Sequence, residues 1–251
     1  MSNYEDKISS MILRAGSLPG FKVHPYDTYN FLNKNYNVGN LDHPKEVYFI
    51  DENKLKLATG QIVAAHKLKF ATTGFAAGAP GGLWGVTAGT ALDLEEYVRR
   101  LFLMAQQMGH IYGLIPNPFA EEVDLDEEVY FESVQDEIVK LIALGLGVGG
   151  VSLTLTETSK ALGVKKARDI ARHKVSEELT TRVAKKVAGF LGKKLTKNQI
   201  AKGVSRAVPV IGGGINAGFN YVSIGGLGRK MATNLEKEHI RLKPQVLDHW
   251  Q

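Results

Sequence analysis

Asp93 is the first charged residue after 23 uncharged positions, and Asn216 and Asn220 lie one helical turn apart inside another uncharged run. A carboxylate and two amides in such surroundings are costly to bury without partners, so they could line a polar pocket in a helical bundle. Each also has a structural use. Asp93 and Glu96 have the spacing of an N-cap and its reciprocal acid, so Asp93 is expected to open a helix, and the two asparagines are expected to bridge helices.

Other chemistries lack their residues. The seven histidines, His24, His43, His66, His110, His173, His239 and His249, never fall three to five apart, so no helix presents a pair to zinc. The chain has no cysteine, which removes a disulfide scaffold, a thiolate metal site and a cysteine nucleophile together. Neither a G-x-S-x-G elbow nor H-E-x-x-H occurs. Gly145, Gly147 and Gly150 match G-x-G-x-x-G with Asp169 downstream, but the residues that follow read as helices, not as a crossover and second strand. Gly212, Gly214 and Ala217 match a looser form, with Pro209 inside the strand it would require. Asp124, Asp126 and Glu128 alternate like calcium ligands without the central glycine of a calcium loop. No cofactor or metal is expected.

Charge is more informative. Phe119 to Glu137 holds nine carboxylates and no base, whereas Lys160 to Arg206 holds 14 Lys and Arg against Asp169, Glu177 and Glu178. Within the basic block Lys165, Lys166, Arg172, Lys185, Lys186, Lys193 and Lys194 are candidates for contact with an anionic surface. Phe190 is the block's single aromatic and no reader motif is present, which disfavours nucleic acid; an anionic phospholipid surface or a membrane protein is the expected partner, with the chain's own acidic block, 119–137, as the other anionic surface it could meet.

The elements that must carry these residues are helical by pattern. Tyr4, Ile8, Met11, Ile12 and Ala15 follow helical spacing to Gly16; residues 17–44 read as a looping arm with a short helical pattern from Asp27; and Val47 to Ile50 reads as helix in preference to strand. Leu94, Tyr97, Val98, Leu101, Met104, Ala105, Met108, Ile111 and Tyr112 draw a wide apolar stripe ending at Gly113. In the basic block, Leu179, Val183, Val187, Phe190 or Leu191, and Leu195 make another.

Glycine marks three uncharged stretches, Phe70 to Leu92, Leu141 to Thr156 and Ala207 to Gly228, which hold 17 of the chain's 27 glycines. Helical glycine costs about 0.5–1 kcal/mol against alanine, so these stretches must gain from close backbone approach. The first and third are long enough to cross a bilayer, but the first is poor in Leu, Ile, Val and Phe, and buried hairpins are expected, with Pro80-Gly81-Gly82 breaking the first.

Gly78-Ala79-Pro80-Gly81-Gly82 followed by Asp93, then Gly109-His110-Ile111-Tyr112-Gly113, then Arg206-Ala207-Val208-Pro209-Val210-Ile211-Gly212-Gly213-Gly214 with Asn220, resembles the bacterial EcsC family, named for a protein encoded beside an ABC transporter. The resemblance spans about Gln61 to Glu238 and implies bacterial origin, an all-helical fold and membrane association, with no established activity. It marks Gly78, Pro80, Gly81, Gly82, Asp93, Tyr112, Gly113, Pro209 and Gly212 as family-motif positions without roles.

The expected protein is an all-α helical bundle with closely packed Gly-rich hairpins, divided into an N-terminal helical arm (1–60), a helical domain (61–240) and a tail (241–251). Its start has no apolar leader, so a cytoplasmic location, peripheral on the inner face of the membrane, is expected. The expected function is non-enzymatic, at the membrane face through the basic helices; the alternative is a soluble enzyme or small-molecule binder with a pocket near Asp93, Asn216 and Asn220.

Overall fold

The computed structural model describes residues 2–77, 82–115, 127–148, 181–191 and 212–248, with side-chain surroundings at 5–15, 17–70, 95–115, 134–148, 181–191 and 224–248. All regular structure among the described residues is helical, as the sequence pattern requires. The order is α1 (Ser2–Arg14), a 3-10 turn (Ala15–Ser17), α2 (Pro25–Tyr36), a second 3-10 turn (Pro44–Phe49), α3 (Glu52–Ala77), α4 (Gly82–Ile111), α5 (Glu127–Gly145), α6 (residues 181–191) and α7 (Gly212–Asp248).

Two His-Pro pairs organise the N-terminal residues. His24 Nδ1 accepts from the Tyr26 amide at 3.3 Å, with Pro25 in the first position of α2. His43 Nδ1 accepts from the Lys45 amide at 3.3 Å, while Glu46 Oε2 accepts from the amides of Asp42 at 2.8 Å and His43 at 3.0 Å. An imidazole nitrogen thus takes the acceptor role that Ser, Asp or Asn usually fills at a helix start. The short helical pattern expected from Asp27 within the arm is α2, which starts at Pro25 and runs for three turns to Tyr36. Val47 to Ile50 forms no strand; Val47 and Tyr48 are buried in the second 3-10 turn.

α3 and α4 form the expected antiparallel hairpin. Thr59 meets Tyr112, His66 meets Gln107 and Phe70 meets Tyr97, a pairing that ascends one helix while descending the other. The apolar stripe of α4 is buried from Tyr97 to Tyr112. α4 starts at Gly82 and continues through Asp93, which corrects the expectation that Asp93 opens an element. Inside a helix the amides of the next turn bond to carbonyls one turn back, so Asp93 has no orphan donors to cap. Glu96 accepts instead from Arg99 Nε at 2.7 Å and Arg100 Nε at 2.5 Å.

α7 runs antiparallel along α3. Lys243 Nζ reaches Glu52 at 2.9 Å, Lys56 Nζ reaches Glu236 at 3.4 Å, Gly228 faces Val63 and Gly225 lies under the Lys67 stem. A Cβ at Gly225 would stand 2.4 Å from Lys67 Cδ, and one at Gly145 would stand 2.4 Å from Met231 Cγ. Close approach is therefore what glycines of the second and third stretches provide. Those of the first stretch, Phe70 to Leu92, have surroundings outside the described residues.

α7 also closes the C-terminus of α5. Lys230 Nζ donates to Leu146 O at 2.6 Å and Asn234 Nδ2 to Gly145 O at 3.0 Å, so carbonyls that the helix leaves open find donors on a neighbour. Ile138 to Leu144 is helical, which removes the strand a dinucleotide reading of Gly145 to Gly150 would need.

The domain divisions are corrected on two grounds. Position 60/61 falls within α3, and Ile8, Ile12, Phe21, Leu32 and Val47 share one core with Leu101, Leu141 and Leu235. Residues 241–248 continue α7, with Leu242 buried, so they are helix and not a tail.

Two glycines separate backbone cost from packing. Gly113 has φ 63, and a Cβ there would meet Val47 Cγ2 at 2.6 Å and Pro44 O at 2.7 Å. Gly113→Ala is expected to destabilise by about 2–5 kcal/mol, combining the left-handed conformation with the overlap. Gly60, inside α3 with nothing within 4 Å, should gain about 0.5–1 kcal/mol as alanine. Urea unfolding of both variants measures the contrast.

Candidate functional site

The residues singled out by sequence fall in separate places. Gly82 begins α4, Asp93 lies within it, and Tyr112 and Gly113 follow its end. Gly212 begins α7, and Asn216 and Asn220 lie along it, with side chains, like that of Asp93, outside the described set. Gly78, Pro80, Gly81, Lys165, Lys166, Arg172, Lys193, Lys194 and Pro209 also lie outside the described residues. Lys185 and Lys186 are exposed on α6.

Tyr112 belongs to a buried polar joint that ties the second 3-10 turn, α3, α4 and α7 together. His239 stacks on Tyr48 with ring centroids 4.5 Å apart and lies 5.6 Å from the Tyr112 ring. Its Nδ1 lies 2.9 Å from the Tyr112 carbonyl oxygen. A carbonyl only accepts, so Nδ1 carries the proton and the neutral ring leaves its lone pair on Nε2. Tyr112 OH meets Thr59 Oγ1 at 3.2 Å, and Tyr48 OH donates to Gly113 O at 3.3 Å. The left-handed turn at Gly113 brings that carbonyl to Tyr48. The sequence signal for His239 was its spacing with Met231, Leu235 and Leu242, all buried, which sets it on the apolar face of α7.

Two further histidines are buried between helices. His66 Nε2 lies 2.8 Å from Gln107 Oε1, joining α3 to α4. His110 lies at the end of α4, edge-on to Tyr29 at 6.2 Å and bonded to the Val23 backbone. One turn earlier, Gln106 Oε1 accepts from the Val23 amide at 3.0 Å and its Nε2 donates to Phe21 O at 2.6 Å. One polar side chain thus fixes the segment before α2 onto α4. His66 Nδ1, His110 Nδ1 and His239 Nε2 have no hydrogen-bond partner among the described residues.

Burial sets the protonation of these groups. It lowers His239, lowers His66 to about 4 and His110 to about 3, and raises Tyr112 to about 12 against the opposing bond from Thr59. It also raises Tyr48, with Glu238 adding to the effect. Proton transfer at neutral pH is served by groups that titrate near it, and burial moves these away on both sides. The joint therefore holds neutral rings in a fixed arrangement, as a clasp between elements. Among the described residues no group of three or more His, Asp or Glu is placed to hold a metal ion.

The outward surface is charged differently. On α6, Val183, Ala184, Val187, Ala188 and Leu191 are buried, while Arg182, Lys185 and Lys186 are exposed. The helix therefore turns its apolar face to the core and its cations to solvent. Among the described residues no helix is long and apolar enough to cross a membrane. No family model, curated protein or solved structure matches the chain.

The buried histidines imply acid sensitivity. Unfolded, His66 and His110 titrate near 6.5; folded, they titrate near 4 and 3. At pH above 6.5 both states are neutral and the difference has no effect. Below it the unfolded chain takes up protons that the fold refuses, so stability falls as pH drops toward the folded values. Each should cost about 2 kcal/mol at pH 5 relative to pH 7, read from urea midpoints at the two values. Equal stability at both would contradict this assignment.

Proposed function

We propose that this protein is a non-enzymatic helical protein of the EcsC family that acts at the cytoplasmic face of a bacterial membrane, meeting anionic phospholipid headgroups, or a membrane protein, through a basic surface. The observation that supports it is the division of α6: its apolar side chains are used in the core, and Arg182, Lys185 and Lys186 face outward. Attachment through such a face is electrostatic, worth about 1 kcal/mol for each Lys or Arg near the headgroups, and weakens with salt. The family assignment rests on the glycine, proline and aspartate motifs from Gly78 to Asn220.

Sedimentation with vesicles tests the proposal. Wild-type protein should bind vesicles of equimolar phosphatidylglycerol and phosphatidylcholine and leave pure phosphatidylcholine vesicles free. Lys185→Gln with Lys186→Gln, both on exposed positions, should weaken binding about thirtyfold, the equivalent of two headgroup contacts at about 1 kcal/mol each. Equal binding to both vesicle types, or none to either, would contradict attachment to phospholipid headgroups.

A further inference from the structure

Four large apolar side chains stand out in solvent among the described residues: Phe49, Leu57, Leu68 and Ile240, with exposures of 67%, 62%, 62% and 45%. Isolated apolar residues on a surface are ordinary, but two of these, Leu57 and Leu68, share one face of a helix. Phe49 ends the turn that leads into α3, Leu57 and Leu68 lie on α3, and Ile240 lies on α7, the helix packed along it. On α3, Leu57, Gly60, Gln61, Ala64, Ala65 and Leu68 are all exposed, while Ala58, Ile62, Val63 and His66 are buried. One face of the helix therefore carries an uncharged strip about 16 Å long between the two leucines.

Cations stand at both ends of this strip. Lys54 and Lys56 flank Leu57, Lys67 and Lys69 flank Leu68, and no acidic residue occurs from Asn53 to Phe70. Lys56 reaches Glu236 and the Lys67 stem crosses Gly225, which places these two lysines along the seam with α7. A second copy of the chain on this face would set lysine against lysine. An acidic amphipathic helix is the competing occupant, and the peptide arm of the test below separates it from lipid. An anionic bilayer needs only apolar tips that reach the acyl boundary and ammonium groups level with the phosphates, and the strip has both.

We propose that this face of α3 is where the protein lies against an anionic phospholipid surface, with Leu57 and Leu68 entering the interface and the lysine pairs beside them meeting phosphates. The proposal rests on the membrane reading above and adds an element to it. Headgroup attraction alone is removed by salt, whereas apolar side chains in the interface leave a component that salt does not remove.

The double variant Leu57→Gln, Leu68→Gln tests it on the full chain, with vesicles of equimolar phosphatidylglycerol and phosphatidylcholine across a salt series. Both positions are exposed, and an unchanged helical circular dichroism spectrum and urea midpoint confirm the fold. Wild-type protein should keep part of its binding at high salt, and the double variant should lose that part, with partition reduced about tenfold or more. A double variant that binds like wild type at every salt concentration would overturn the assignment of α3 while leaving attachment through Lys185 and Lys186 intact. Wild-type protein that binds no vesicle would overturn both. Weakened binding of the double variant to an acidic amphipathic peptide, with vesicle binding unchanged, would assign the face to a protein partner and overturn the lipid reading.

Discussion

Gly225 and Gly228 let α7 approach α3 so closely that a methyl group at either would collide with the Lys67 stem or press on Val63. Much else follows from that contact. It sets the antiparallel register in which Lys56 meets Glu236 and Lys243 meets Glu52, and it brings His239 to Tyr112 at the end of α4. It also commits one face of α3 to the core and leaves the opposite face outside. The surface pairs contribute little individually at their exposure, so apolar burial and close backbone approach carry the register.

Polar side chains finish what apolar packing begins. Gln106 holds the segment before α2, Lys230 and Asn234 close α5, and His24 and His43 start the two N-terminal turns. Each satisfies backbone groups that would otherwise be buried without partners, so each specifies a single arrangement more than it adds net stability. The three buried histidines share this character. They stay neutral because burial disfavours the charged form, and their cost appears only when the pH falls below the value at which a free imidazole takes a proton.

Much of this was legible in the residues, unevenly. The stripe from Tyr97 to Tyr112 has a strong period and reads as helix without help from tertiary structure. The hairpin was legible because proline and glycine between two helical patterns have few other uses. The His-Pro starts were hidden because histidine is an uncommon cap. Asp93 was misread because its local spacing with Glu96 is that of a cap, while the helix that contains it begins eleven residues earlier at Gly82. The joint around His239 joins residues far apart in sequence, so only its apolar-face spacing was visible. The outward strip on α3 went unread because a helix with apolar residues on most sides has no single face that periodicity can mark.

On α6 and α3 the inner face is used in the core and the outer face is exposed. Because the chain has no cysteine, single nitroxide labels can be placed at each position from 55 to 70 without background. Their collision rates with a water-soluble relaxant, with and without anionic vesicles, test the orientation of α3 most directly. The rates should be high at 57, 60, 61, 64, 65 and 68 and low at 58, 59, 62, 63, 66 and 70 in solution, and vesicles should lower only the first set. A profile without helical period, or vesicle protection that spares positions 57, 61, 64 and 68, would contradict it.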